Sequence, residues 1–125
     1  MAKRYTTQAL VLKKADRGEA DRIITFYTRE YGKLQILGRG IRKIKSKLKS
    51  STELFFLSDI EFIQGKTFKT LTDAKELDSF RGFREDFEKM RAAFKISETA
   101  DRKIIGEEPD KNLWRLLIES FKRLD

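Results

Sequence analysis

Residues 18–50 read GEADRIITFYTREYGKLQILGRGIRKIKSKLKS, and the first half of this stretch has the pattern of a β-hairpin. Residues 22–28 (RIITFYT) and 33–37 (KLQIL) are short runs rich in β-branched, aromatic and other apolar side chains, and the turn-prone REYG separates them. The first run carries apolar side chains on both of its faces, which predicts a sheet that is covered on more than one side.

The second half of the stretch is strongly basic. Residues 39–49, which we call the basic arm, hold six cations, no acid and three apolar side chains. The six cations are Arg39, Arg42, Lys43, Lys45, Lys47 and Lys49. A solubilising loop is the ordinary interpretation of such a run, but it predicts interleaved acids. Residues 1–65 have 14 Lys and Arg against 7 Asp and Glu, whereas residues 66–125 have 14 against 13. This asymmetry favours a flexible arm that binds a polyphosphate.

The composition excludes several classes of protein. A chain of 125 residues with 39% hydrophobic content suffices for one modest core, or for one small domain with the start of a second. No apolar run is long enough to span a membrane, and the N-terminus lacks the apolar region of a signal peptide, so the sequence predicts a cytoplasmic protein without membrane contact. With no cysteine and no histidine, disulfide frameworks, thiolate zinc sites and the commonest general base are missing.

No motif in the chain has the spacing of a catalytic site. Carboxylates occur in pairs such as Glu107 and Glu108, but acids are common on charged turns, and no second set of groups accompanies them to orient a substrate. Residues 38–40 (GRG) are too short to form a nucleotide-phosphate loop. The sequence therefore predicts a binding protein and not an enzyme, with no catalytic residues, no metal site and no cofactor.

Three further runs have strand character. They are residues 5–13 (YTTQALVLK), residues 54–64 (LFFLSDIEFIQ) with a bulge near Ser58, and residues 67–77 (TFKTLTDAKEL). The polar residues 14–21 are expected to form a loop. Five short strands with one long, basic connection between the third and the fourth predict a small closed or nearly closed barrel.

The apolar period changes from two to about 3.6 at Ser79, which predicts an amphipathic helix over residues 79–103. Its stripe, interpreted as core, consists of Phe80, Phe83, Phe87, Met90 and Phe94. Gly106 is expected to end this helix, and residues 107–110 form the start signal of another. The second stripe consists of Leu113, Leu117, Phe121 and Leu124, with Trp114 and Ile118 beside it.

The width of the second stripe carries an expectation of its own. An apolar band this wide, close to the chain end, predicts the beginning of a larger helical domain whose next layer covers it. Without that layer, the final helix is expected to fray or to mediate self-association. Trp114 is expected to pack in the core or between helices, and its alternative is a partner surface, where tryptophan is enriched.

Several motifs together resemble one known family. These motifs are ALVL (residues 9–12), GEADRIITFYTREYGKL (18–34), GRGIRKIKSKL (38–48) and GKTFKTLTDAKELDSF (65–80), followed by an arginine-rich amphipathic helix. Across essentially the whole chain they resemble the RecO family of DNA repair and recombination mediators. The resemblance implies an α+β, mainly β fold: a five-stranded OB-fold barrel over residues 1–78, followed by two amphipathic helices over residues 79–125 that begin a helical domain.

The resemblance also implies a function. RecO-like proteins bind single- and double-stranded DNA, anneal complementary strands, and work with RecR and the single-stranded-DNA-binding protein to load RecA. The residues of this chain expected to contact DNA are Arg39, Arg42, Lys43, Lys45 and Lys47, together with Lys33 and Lys49. Candidates for base stacking are Tyr27, Tyr31 and Phe68, and their alternative is packing in the core.

Other interpretations stay open at this stage. RecO-like proteins usually continue as a larger helical domain, in many members with a four-cysteine zinc site, and the pocket for the tail of the single-stranded-DNA-binding protein is expected there. An RNA-binding OB module is an alternative function, because composition does not distinguish ribose from deoxyribose. A protein-interaction adaptor whose basic arm binds an acidic partner is another.

Overall fold

Five strands close into a barrel in the computed structural model, which describes residues 3–104 and 106–125. The strands are β1 Arg4–Arg17, β2 Asp21–Thr28, β3 Gly32–Gly38, β4 Leu57–Gln64 and β5 Lys69–Asp78, and the helices are α1 Arg81–Arg84, α2 Phe87–Lys103 and α3 Lys111–Leu124. The order around the barrel is β1-β2-β3-β5-β4, and only β3 and β5 run parallel. The predicted fold class, an OB-fold barrel followed by helices, is confirmed.

Two hydrophobic clusters explain why the strands are apolar on both faces. In β1, Ala9 and Val11 point into the barrel, while Leu10 and Leu12 belong to a second cluster outside it. All four are buried. The helices pack on this outer face. Apolar and polar residues would alternate in a strand with one face in solvent, but β1 is covered on both faces and has the continuous apolar run ALVL.

β1 is longer than predicted. The prediction ended the strand at Lys13 and made residues 14–21 a loop, but Lys14 pairs with Ile24 and Arg17 pairs with Asp21. Only residues 18–20 remain as the turn of the hairpin. The extension is polar and mostly exposed to solvent, so it has no hydrophobic alternation that a sequence pattern could reveal.

The second hairpin begins later than predicted. β4 starts at Leu57, because Phe55 before it is fully buried with a φ of 66°, and its N–H donates to the carbonyl of Val11 at 3.0 Å. β5 starts at Lys69, which leaves Phe68 in the turn. The bulge near Ser58 is confirmed by a shift in the β4–β5 register between Leu57 and Ser58.

The predicted helix over residues 79–103 is broken into α1 and α2. Asp86 is the N-cap of α2, and its side chain accepts a hydrogen bond from the backbone N–H of Lys89. The break shifts the phase of the apolar stripe. Phe83 before it is fully buried, whereas Phe87 and Phe94 after it are 76% and 47% exposed. The prediction that both belong to the core is therefore wrong.

Small side chains form the buried face of α2 instead. Ala93, Ser97 and Ala100 are buried, and the Ser97 hydroxyl donates to the carbonyl of Leu12 at 3.3 Å. Short side chains at this contact allow the helix to approach the outer face of β1 closely. A stripe of alanine and serine is a weak hydrophobic signal, which is why the phenylalanines misled the prediction.

α3 begins where the sequence predicted. Asp110 is its N-cap and accepts from the backbone N–H of Leu113 at 3.0 Å. The apolar side chains that are buried on this helix are Trp114, Leu117, Ile118 and Phe121. They pack in the outer cluster with Phe55, Phe80 and Phe83, so the barrel and the preceding helices together cover them. The expectation that the band needs a further layer to cover it is wrong for Trp114, Leu117 and Phe121, and Trp114 is a core residue.

Alanine substitutions of two glycines test how closely the segment between α2 and α3 packs against the barrel. Gly32 has a φ of +70°, and a Cβ there would lie 2.8 Å from the carbonyl oxygen of Glu108; Gly18 has a φ of +58° with nothing within 4 Å of a Cβ. We expect Gly18→Ala to cost about 1 kcal/mol of unfolding free energy from backbone strain alone, and Gly32→Ala at least about 2 kcal/mol. Urea unfolding measures both. Equal costs would contradict the close packing at Gly32.

Candidate nucleic-acid interface

The basic arm is a succession of turns between β3 and β4. The backbone N–H of Lys43 donates to the carbonyl of Gly40 at 3.1 Å, and that of Ser46 donates to the carbonyl of Lys43 at 3.0 Å. A short 3-10 helix, Lys49–Ser51, follows the last turn. These local hydrogen bonds give the arm a defined path across the surface.

Apolar side chains hold the arm on the barrel. Ile41 is fully buried within the barrel cluster, and Leu48 packs partly buried against the same cluster. Ile44, between them, is 99% exposed. The backbone N–H of Gly40 also donates to the Asp21 carboxylate at 2.7 Å. The arm is therefore anchored near both ends, and its middle projects into solvent.

Arg42 fastens the arm to the β1–β2 hairpin. Its Nη1 donates to the carbonyl of Gly18 at 2.8 Å, and its Nε lies 3.6 Å from Asp16 Oδ2. The pKa of Asp16 is lowered, first by a hydrogen bond from Arg22 and also by the charge of Arg42. Arg42 was predicted to contact DNA, and the structure places it in this intramolecular contact.

The other cations of the arm are exposed. In the part of the chain that the structure describes, none of them forms an ion pair. They are Arg39, Lys43, Lys45, Lys47 and Lys49. Five unpaired cations on a stretch without an acid make a strongly positive surface beside the barrel.

Lys33 lies in a different environment. Its Nζ is 2.5 Å from Oδ1 of Asp101 on α2, and Lys13 Nζ is 3.1 Å from Oδ2 of the same carboxylate. Burial raises the pKa of Asp101, but the two lysines together outweigh it through hydrogen bonding and positive charge, and the pKa lies below its usual value. Lys33, predicted to contact DNA, thus joins α2 to the barrel.

This ion-pair cluster gives a pH-dependent prediction. We expect Asp101→Asn to lower the unfolding free energy by about 1–3 kcal/mol at neutral pH, because Lys33 loses its ion pair with the carboxylate and Lys13 loses a charge-assisted hydrogen bond to it. The folded-state pKa of Asp101 lies below 3.8, so its contribution is complete above that pH and disappears as the pH falls further. In urea unfolding between pH 7 and pH 3, the difference from wild type should be constant to about pH 4 and then shrink. A difference that grows in acid would contradict the ion pairs.

Tyr27 is not accessible for stacking. Its side chain is fully buried, its hydroxyl donates to the carbonyl of Asp110 at 3.3 Å, and its ring lies 5.9 Å from that of Trp114. Burial raises the pKa of this phenol. The ring therefore belongs to the contact between the barrel and the helices, as the core-packing alternative expects.

Phe68 and Tyr31 are only partly buried. Phe68 lies in the β4–β5 turn with the guanidinium of Arg17 4.4 Å from its ring centre, in a cation–π contact. Tyr31 lies in the β2–β3 turn, and its ring contacts those of Tyr5 and Phe62. The sequence analysis did not identify Arg17 and Tyr5. Each contacts an aromatic ring that is distant in the chain, so no local sequence pattern indicates the contact.

Within residues 3–104 and 106–125, no group of three or more acidic side chains is arranged to hold a metal ion. None of the helices described there is both long and apolar enough to cross a membrane.

Comparison with protein families identifies the chain. Residues 1–80 match the family model described as "Recombination protein O N terminal". The chain belongs to the RecO family. Similar members are named DNA repair protein RecO, from Gloeothece citriformis (34% identity over 100% of this chain and 44% of the relative) and Heliobacterium modesticaldum (38% over 96% of this chain and 44% of the relative). A third, of the same name, is from Rubrobacter xylanophilus (33% over 97% and 48%). The chain spans less than half the length of these RecO relatives.

Proposed function

We propose that this chain is a non-catalytic DNA-binding protein of recombinational repair, acting in the cytoplasm on DNA of the nucleoid. The observation that carries the proposal is the set of five exposed cations that form no ion pair with the described residues, on an arm anchored to an OB-type barrel. Its relatives are named DNA repair protein RecO, which agrees with this assignment.

The chemistry of the arm favours binding without sequence readout. Lysines act as point charges on phosphates, whereas base discrimination requires donors held in fixed bidentate geometry. The arm contains two arginines, and the guanidinium of Arg42 already contacts the carbonyl of Gly18 and the carboxylate of Asp16. The arm is therefore expected to bind single and double strands of any sequence through their backbones.

Annealing follows from the same property. Two complementary strands repel each other through their phosphates, and a dense cationic surface lowers this repulsion when it binds both strands. We propose that the chain promotes annealing in this way, and that it assists RecA loading together with RecR. A fluorescence assay of strand annealing with the wild-type protein tests the first step, and failure to accelerate pairing would contradict it.

The salt dependence of binding tests the proposed interface. If the five exposed cations each neutralise a phosphate of a single strand, log K should fall against log salt with a slope of about −3.5. Labelled oligonucleotides of several sequences should give the same affinity within a factor of about 3, because phosphate contacts carry no sequence information. Affinity that ignores salt would reject the interface. Competition with RNA of the same sequence and with an acidic peptide separates DNA binding from the two alternative functions.

A further inference from the structure

The pairing between β3 and β5 is the shortest in the barrel. These strands pair at only two positions, Ile36 with Lys69 and Leu37 with Thr70, whereas β4 and β5 pair at eight. Beside the short pairing lies a cavity of about 250 Å³, which we call the barrel pocket. Its lining residues are Tyr5, Tyr31, Leu34, Phe62, Gln64, Lys69 and Glu107.

Three aromatic rings form one side of the barrel pocket. The rings of Tyr5 and Phe62 are stacked, with centroids 5.3 Å apart and planes 15° apart. Tyr31 stands nearly perpendicular to both, at 5.7 Å from Tyr5 and 5.8 Å from Phe62. Phe62 is buried, while Tyr5 and Tyr31 are only partly covered. The arrangement presents aromatic faces and edges to a space that the side chains of residues 3–104 and 106–125 leave open.

Polar groups lie at the rim. Lys69 Nζ is paired with Glu107 Oε1 at 2.7 Å, and the Gln64 amide N–H donates to the carbonyl of Gly65. Lys3 lies over Tyr5, with its Nζ 5.2 Å from the ring centre. The rim thus has hydrogen-bonding groups that suit the edge of a heterocycle, and an exposed cation that suits a phosphate.

The barrel pocket is open to the surface. Its volume of about 250 Å³ is smaller than the roughly 300–1,000 Å³ of sites for drug-sized ligands. Its size and aromatic walls suit a single planar ring.

We propose that the barrel pocket accepts one nucleobase of a single strand whose phosphates lie on the basic arm. This inference rests on the proposed DNA-binding function. Aromatic side chains stack on bases of any identity, which agrees with binding without sequence readout. A base in a duplex is paired and stacked and does not reach the pocket, so the pocket adds affinity for single strands only.

Photocrosslinking tests the proposal on the wild-type protein. An oligonucleotide substituted with 5-iodouracil is bound to the protein, irradiated and mapped by mass spectrometry. Crosslinks to Tyr5, Tyr31 or Phe62 are the expected result. Crosslinks confined to the basic arm or to Phe68 would overturn the proposal, because the base then lies elsewhere.

Two variants of one residue give an independent test. Tyr31→Leu keeps an apolar side chain but removes the ring, and should weaken single-strand binding about fivefold or more. It should leave duplex affinity and the salt slope unchanged. Tyr31→Phe keeps the ring and should bind like wild type, and thermal unfolding of both variants reports whether they fold.

The outcomes separate this inference from the function on which it rests. Wild-type binding with the expected salt slope, together with unchanged single-strand affinity in folded Tyr31→Leu, would reject the barrel pocket and retain the DNA-binding arm. Equal losses for single and double strands in this variant would also reject it. Wild-type binding that does not depend on salt would reject the arm, and the inference with it.

Discussion

Replacing the five exposed cations of the basic arm with glutamine is expected to weaken binding of single-stranded DNA about 100- to 1,000-fold at 0.1 M salt. The substituted residues are Arg39, Lys43, Lys45, Lys47 and Lys49. Each phosphate contact releases counterions, so the loss of five contacts removes most of the electrostatic free energy of binding. The salt slope should fall from about −3.5 toward zero in the same titration. Annealing should be lost in parallel.

A matched variant separates the position of the charges from their number. Five exposed cations on α2 and α3 are changed to glutamine in the control: Lys95, Arg102, Lys103, Lys122 and Arg123. Both variants lower the net charge from +8 to +3. The control is expected to keep DNA affinity within about threefold of wild type, because the arm is intact. Equal losses in the two variants would show that net charge, and not the arm, determines binding.

Phe121→Ala is expected to lower the unfolding free energy by about 3–5 kcal/mol. Phe121 is fully buried, and its ring contacts those of Phe55, Phe80 and Phe83 at 5.4–5.6 Å. These partners come from the segment before β4 and from the α1 region, so one ring joins α3 to both. Removing it leaves a large cavity and the loss of three aromatic contacts. Urea unfolding measures the change.

Leu116 provides the control on the same helix. It is 61% exposed, and Leu116→Ala should change the unfolding free energy by about 0.5 kcal/mol or less. A comparable effect of the two substitutions would contradict the packing of α3. The sequence also predicted self-association through α3. A substitution of Leu116 tests this prediction as well, because its side chain is exposed. A charged substitution at Leu117 or Phe121 would unfold the protein and would not specifically dissociate a dimer, because both side chains lie in the core.

Patterns that depend on neighbouring residues were predictable from the sequence. The apolar alternation of residues 22–28 and the run ALVL reflect strands covered on both faces, and the N-cap Asp110 marks the start of α3. The positive charge of the basic arm is predictable without the fold, because a segment with six cations and no acid is basic in any conformation. Family membership follows from motifs of the same local kind.

Tertiary structure decided which partners these residues meet. The sequence predicts Arg42 and Lys33 as DNA contacts, and folding places Arg42 beside Asp16 and Lys33 beside Asp101. Tyr27 and Tyr31 are equally aromatic, yet α3 buries only Tyr27. A left-handed φ of 52° at Phe80, before α1, and the break between the helices changed the face of α2 that meets the barrel. Local sequence determines periodicity and charge, whereas exposure and ion pairing depend on partners that are distant in the chain and meet only when the barrel closes.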